Sequence, residues 1–372
     1  MTNQLRVSRL RHHARMASLH LVLIASIVAC DSQSTEEEEP PGAVLGPVLT
    51  WREATLPESG GDPMAVTVGA DGVLYAVNAI REGRYTPFDR TGYYTSSDAG
   101  TSWEHVSDVQ TDKFRAPHEF FHIESTSPRS LLAFAAPRAT RWQLILSTDG
   151  GESWTSPEGV ELLSSDASIT SRVGGGLFGV DRGWGTSSAF RAVDGGSTWT
   201  SHPLPSTVHQ RVAYFGAGPT TVYMADEHFH RSVDGGRTWE RTTLAIPREM
   251  AVNASGQTAM LTRWGLTISG DDGLTWSQQP SPGVVVSVTP SIQPGEFVAL
   301  VATEGEYSVF LVSDLGTTWR QTETAGIGLG LIRERGLGQP MIRQLPDGRL
   351  IVTVRSRSND GASLLLVSDE SA

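Results

Sequence analysis

Arginine stands close to an aromatic ring at several points of this chain, including Arg84 with Tyr85, Arg141 with Trp142, Arg182 with Trp184 and Arg263 with Trp264. A planar guanidinium can grip a carboxylate through two parallel hydrogen bonds, and a ring can stack on a sugar or a peptide. Arg115, Arg211, Arg248 and Arg355 fall in similar predicted loops, and Tyr307 follows Glu306. The candidate ligand-binding residues are therefore Arg115, Arg211, Arg248, Trp142, Trp184, Trp264, Tyr307 and Arg355. The same pattern has a plainer source, because Lys113 is the one lysine and nearly every cation is arginine.

His118-Glu119-Phe120-Phe121-His122 spells the His-Glu-x-x-His of zinc proteases. That chemistry needs a helix, which brings both histidines onto one face about a turn apart. Here Pro117 precedes the motif, and Phe120 to Ile123 leads into an apolar strand. On a strand, residues four apart are separated by roughly 13 Å, too far to share one zinc. No metal site and no cofactor are expected.

The elements that hold these residues follow from a repeat. An Asp-x-Gly-x-Ser/Thr-Trp skeleton begins at Asp98, Asp149, Asp194, Asp234, Asp271 and Asp314 and ends at Trp103, Trp154, Trp199, Trp239, Trp276 and Trp319. The tryptophans lie 51, 45, 40, 37 and 43 residues apart, the period of a propeller or solenoid. Each copy suits a tight turn between two strands. The carboxylate accepts from the turn's N–H groups, the glycine supplies a positive φ, and the tryptophan buries its ring. Between copies, runs such as Val284 to Val288, Phe297 to Ala302 and Ser308 to Val312 read as strands. Pro346-Asp347-Gly348 and Ala70-Asp71-Gly72 read as hairpin turns. No capped 3.6-residue periodicity is sustained past residue 30, so very little helix is expected.

These motifs resemble the Asp-box, or BNR, repeat of sialidases, sortilin-type domains and photosystem-assembly-factor-like propellers. The resemblance covers roughly residues 46 to 372, with Ala192 and Val312 standing where serine is usual. It implies an all-β, seven-bladed β-propeller with an Asp-box in most blades. Val48 to Leu56 looks like the segment that follows each box, and Ala362 to Ser368 like the strand that precedes one, so an N-terminal strand should close the last blade. In such blades all the boxes fall on one face and are structural. The candidate arginines and aromatics fall on the opposite face.

Residues 1 to 29 read as a lipoprotein signal peptide. Arg6, Arg9, Arg11 and Arg15 precede the apolar Leu19 to Ala29, too short to be a stable bilayer span. Ile27-Val28-Ala29-Cys30 resembles a bacterial lipobox, which makes Cys30, the only cysteine, the expected lipidation site. Residues 30 to 45, with Glu36 to Glu39 and Pro40-Pro41, read as an acidic disordered tether. Without the signal peptide's four arginines, 25 basic face 41 acidic side chains, a net charge of −16. That balance argues against nucleic acid. The expected location is the bacterial cell envelope, with membrane contact through the lipid alone and a monomeric domain.

Two functions stay open. The favoured one is a lipid-anchored, non-catalytic propeller that binds a protein, peptide or glycan opposite the boxes. The alternative is an exo-α-sialidase-like glycoside hydrolase. That family uses three arginines around a carboxylate, a Tyr–Glu pair and an Asp, and carries a Phe/Tyr-Arg-Ile-Pro motif. Here Phe114-Arg115-Ala116-Pro117 follows the first box and lacks the Ile, and Gln339 occupies a position where many of those enzymes have Glu. An amide cannot act as a general base. Glu306 and Tyr307 are the pair left to serve instead.

Overall fold

Short apolar runs punctuated by Asp-Gly, Gly and Pro fold into antiparallel hairpins, and seven sheets result. The computed structural model of the chain describes residues 47–57, 64–78, 93–106, 119–136, 143–160, 168–171, 176–183, 186–204, 213–215, 221–225, 228–304, 306–326, 329–330, 332, 340–354 and 364–371. Ala43–Ala372 forms one compact unit. Cys30, the arginines that precede it and the acidic run lie outside the described residues.

The sheets are the blades of a seven-bladed β-propeller, labelled I to VII. Blade I comprises Met64–Val68, Leu74–Asn78, Tyr93–Ser96 and Glu104–Val106. Blade II comprises Glu119–Ser127, Ser130–Ala136 and Gln143–Ser147, and a bridge between Leu146 and Thr155 marks its outer edge. Blades III and IV run Ser168–Ser171, Leu177–Gly183, Thr186–Ala192, Trp199–Pro203, then Ala213–Phe215, Val222–Ala225, Phe229–Ser232, Glu240–Arg241. Blade V is Glu249–Val252, Thr258–Thr262, Gly265–Ser269 and Ser277–Gln278. Blade VI is Val284–Pro290, Phe297–Thr303, Glu306–Ser313 and Thr318–Gln321. The strands anticipated at Val284 to Val288, Phe297 to Ala302 and Ser308 to Val312 are all present. Outside the sheets, the described helical residues are the 3₁₀ turn Asp314–Gly316, Gly330 and Ile332.

Blade VII joins the two ends of the sequence. Pro340–Gln344, Arg349–Val354 and Leu364–Ser371 supply its inner strands. Val48–Ala54 pairs antiparallel with the last of these, Trp51 opposite Ser368 and Ala54 opposite Leu365. Its other edge pairs in parallel with Glu323–Gly326, Val48 opposite Glu323. The closing strand is thus held on both sides, a feature not apparent in the sequence.

The core consists of what lies between blades. Tyr75 of blade I packs with Leu131 and Trp154 of blade II. Phe134 of II packs with Phe190 and Trp199 of III, and Phe178 of III with Met224 and the partly buried Trp239 of IV. Tyr223 of IV meets Met260 and Trp276 of V, and Ile268 of V meets Phe310 and Trp319 of VI. Leu300 of VI packs with Trp51 and Val352 of VII. Ile351 and Ala54 of VII then pack with Leu74 and Trp103 of I, which closes the ring.

Trp51 takes the place of a repeat tryptophan in blade VII, with one difference. Trp154, Trp199, Trp239, Trp276 and Trp319 each donate their indole N–H to a turn glycine carbonyl at 2.8–3.1 Å. Trp51 is 1% exposed, and its N–H has no partner among the described residues. Trp51→Phe and Trp199→Phe should both lose packing, but only the second breaks a hydrogen bond. Chemical denaturation should show Trp199→Phe the more destabilised by about 1 kcal/mol. Equal losses would show that the indole N–H bonds contribute nothing.

Candidate functional site

Antiparallel strands place the turns joining first to second and third to fourth strands on one face of each blade. The hairpins joining second to third strands fall on the other face. The aspartates of the repeat occupy the third-to-fourth turns. In four of the six copies a serine hydroxyl bridges the turn, as in blade IV. There Ser232 donates to Asp234 Oδ1 at 2.8 Å and accepts from the Gly236 N–H at 2.8 Å. Asp234 Oδ1 also accepts from the Thr238 N–H at 2.9 Å, and Oδ2 from the Thr238 hydroxyl at 2.7 Å. Two successive residues take positive φ, as in Gly235 at 73° and Gly236 at 90°. Sequence reasoning anticipated the second of these and missed the first, which Ala99, Asp272 and Leu315 fill in other copies at 55–58°.

This bonding holds the carboxylates of the first five copies ionised. Burial pulls Asp234 upward, but the Thr238 hydroxyl and N–H and Ser232 outweigh it and bring it down to about 2. The Thr275 hydroxyl and N–H bring Asp271 to about 2 likewise. Asp98 is lowered by the Ser102 hydroxyl and N–H and by Ser96, and Asp194 is lowered chiefly by the Thr198 N–H. In the four serine-bridged copies both carboxylate oxygens accept inside the turn, which makes those aspartates architectural.

The turns also dock on the preceding blade, through arginines that the sequence reading did not single out. Arg231 Nη2 of blade IV donates to Asp272 O of blade V at 2.9 Å, and Arg52 Nη2 of blade VII to Ala99 O of blade I at 3.1 Å. The Arg191 guanidinium lies over Gly235, where an added Cβ would fall 2.7 Å from Nη1. Arg191 and Arg231 each stand one residue before the Ala or Ser of their own repeat, a signal visible in the sequence.

The opposite face holds the described candidates. Arg248 is exposed just ahead of blade V's inner strand, its backbone N–H bonded to Leu261 O at 2.7 Å. Thr262 pairs with Gly265, so Arg263 and Trp264 form the tip of a two-residue hairpin. Trp264 is 64% exposed, with the Arg263 guanidinium carbon 4.5 Å from its ring centroid. Gln278 Nε2 fastens this hairpin from the outer strand by donating to Trp264 O at 2.8 Å. Tyr307 is half-buried and packs on the core between blades VI and VII, while its neighbour Glu306 is exposed. Adjacent residues of a strand point to opposite faces, so Glu306 and Tyr307 diverge. Arg115, Trp142, Trp184, Arg211, Gln339 and Arg355 lie outside the described residues, as does His118. Glu119 to His122 belongs to a strand, not to the helix a zinc-protease motif requires.

One partly buried acid was missed from sequence. Glu249 Oε1 on the inner strand of blade V accepts from Arg343 Nη1 of blade VII at 2.9 Å and from the Ser287 hydroxyl of blade VI at 3.2 Å. Its Oε2 accepts from the Val288 N–H at 3.2 Å, and Ser287 Oγ in turn accepts from the Ile342 N–H at 3.1 Å. One carboxylate thereby ties three inner strands. The β-bulge between Val285 and Ser287 marks the place.

Fold and turn chemistry together define a β-propeller whose repeat turns are structural and whose opposite face carries exposed charged and aromatic hairpins. No family model matches the chain, and no curated protein matches it. Among solved structures it is similar to YCF48 bound to D1 peptide, at a TM-score of 0.54 and 16% identity over 89% of this chain and 99% of that one. YCF48 from Cyanidioschyzon merolae gives 0.52 and 16% over 86% and 98%. A chain of the mitotic checkpoint complex gives 0.50 and 9% over 94% and 100%. At these identities the likeness is one of fold.

Ala192 offers a direct test of the turn chemistry. It is 1% exposed and occupies the serine position of the third repeat, so Ala192→Ser should add a donor to Asp194 and an acceptor for the Gly196 N–H. The gain at pH 7 should be about 0.5–1.5 kcal/mol in chemical denaturation. A carboxyl whose folded pKa is depressed stabilises above its unfolded value and loses that contribution as pH falls through the folded one. The gain should therefore shrink as pH drops below the ordinary carboxylate range and through the lowered value of Asp194. A gain unchanged at low pH would assign it to packing.

Proposed function

We propose that this chain is an Asp-box propeller acting as a non-catalytic binding module, anchored in the bacterial envelope by a lipid on Cys30 and engaging a protein, peptide or glycan opposite the Asp turns. The observation that carries the reading is Trp264, which is 64% exposed at a hairpin tip beside Arg263. A ring of that size shown to solvent, with its backbone fixed at both ends of the hairpin, suits a partner's surface better than this protein's core. A propeller of like fold has been solved with a peptide bound and another within a protein complex, which supports a polypeptide partner. The hydrolase alternative needs a glutamate that polarises a tyrosine. The divergence of Glu306 and Tyr307 takes that pair away, and Glu249 is occupied by Arg343 and Ser287.

Affinity purification of the full-length tagged protein from detergent-solubilised envelope tests this reading. Arg248→Glu and Trp264→Ala should lower recovery of the co-purifying partner at least about fivefold, as expected for central contacts. Arg237→Glu, in the turn of the fourth repeat, should leave it unchanged. Turnover of a sialic acid reporter that vanishes in Tyr307→Phe would overturn the reading in favour of the hydrolase.

The anchor is checked separately. Cys30→Ser should abolish radiolabelled palmitate incorporation and release the protein from the membrane fraction. Equal labelling of wild type and variant would place the lipid elsewhere.

A further inference from the structure

Blade VI carries an open groove of about 680 Å³ on the face opposite the Asp turns, within the usual size range of ligand sites. One wall is the approach to its inner strand, Pro282, Gly283 and Val284, and the other is the hairpin bearing Ala302, Glu304 and Glu306. Gly283 makes the close approach possible, since a Cβ there would fall 2.6 Å from the Ala302 carbonyl oxygen. Val284 is 68% exposed and gives the groove an apolar side.

Two exposed acids stand beside it. Some other acids of the ring are taken: Glu296 of blade VI by Arg320 at 2.6 Å and Glu249 of blade V by Arg343 at 2.9 Å. Glu304 and Glu306 are both exposed and have no hydrogen-bond or ion-pair partner among the described residues. The chain as a whole carries a net charge of −12, so the surrounding field adds to theirs. An apolar wall flanked by two free carboxylates is complementary to an apolar side chain flanked by cations.

We propose that this groove takes an extended peptide segment in which arginine or lysine flanks an apolar residue, the apolar side chain lying on Val284 and the cations meeting Glu304 and Glu306. The proposal rests on the reading of this face as a binding surface and names the chemistry of what it binds. A guanidinium or ammonium shared between two exposed carboxylates contributes mainly specificity and rate of encounter, and it weakens with salt.

The test is fluorescence anisotropy on the full-length, detergent-solubilised protein with a fluorescein-labelled, amidated Gly-Ser-Arg-Val-Arg-Ser-Gly peptide. Saturable binding is expected at low salt, weakened about tenfold by raising sodium chloride to half molar. Glu304→Gln/Glu306→Gln should weaken it at least about tenfold, and Val284→Ser a few fold, with melting temperatures near wild type. Glu240→Gln, on the outer strand of blade IV, should change nothing, and the same peptide with Glu-Val-Glu at its centre should not bind. Absence of saturable binding overturns the proposal, as does binding that survives the double substitution or falls equally with Glu240→Gln. Should the arginine peptide fail while partner recovery still depends on Arg248 and Trp264, the groove inference alone is lost.

Discussion

The closing strand Val48–Ala54 is the interaction on which the rest depends. Every blade is apolar on both faces, so each must be covered by a neighbour, and a linear stack would leave two faces and a sheet edge in water. A ring removes both problems only if its first and last blades meet. Here Trp51 and Leu49 fill the seam between blades VI and VII, and Ala54 joins the cluster between VII and I. Residues 48 to 51 of the strand pair with Glu323–Gly326 and residues 51 to 54 with Leu364–Ser371, so each half is held by a different neighbour. The chain ends are thereby drawn into one sheet.

The repeat turns serve the same end at a shorter range. Each folds locally around its aspartate and then offers its apolar ring, and in several copies its carbonyls, to the blade before it. Arg231 and Arg52 bind those carbonyls, and Trp103 donates to Thr55 O at 2.7 Å across the closing seam. The Glu249–Arg343 pair adds a tie at the inner strands, from blade V across VI to VII. Local turn and ring geometry are mutually supporting, and no other side-chain chemistry is asked of these aspartates.

This division of labour separates the two faces. Arginines that looked alike in sequence prove to have different employment. Arg343, Arg320 and Arg129 are ion-paired with Glu249, Glu296 and Glu152, and Arg52 and Arg231 cap neighbouring turns. Arg248 and Arg263 instead stand exposed on the hairpin face, Arg263 beside Trp264. Blade VI presents the opposite charge on that face, through Glu304 and Glu306. A rigid ring with short, two-residue hairpins can hold such groups at fixed spacing, which lowers the entropic cost of binding.

The repeat skeleton at Asp98, Asp149, Asp194, Asp234, Asp271 and Asp314 was enough to specify turns, strands and six of the seven blades, because turn chemistry and alternation act over a few neighbouring residues. Trp51 without a preceding box was enough to place the closing strand. The first positive-φ residue was not legible in three of the turns, since Ala99, Asp272 and Leu315 are not residues that announce such a backbone. Neither was the parallel ladder of Glu323–Gly326, a short segment of unremarkable composition. Tyr307 looked like a surface aromatic, and only the tertiary structure showed it half-buried against the cluster between blades VI and VII. Glu249 and Arg343, 94 residues apart, carry no local mark of their partnership. Sequence by itself determined what is decided between near neighbours. Tertiary structure alone decided which charges are consumed in the ring and which remain at its surface, because that depends on blades brought together only when the ring closes.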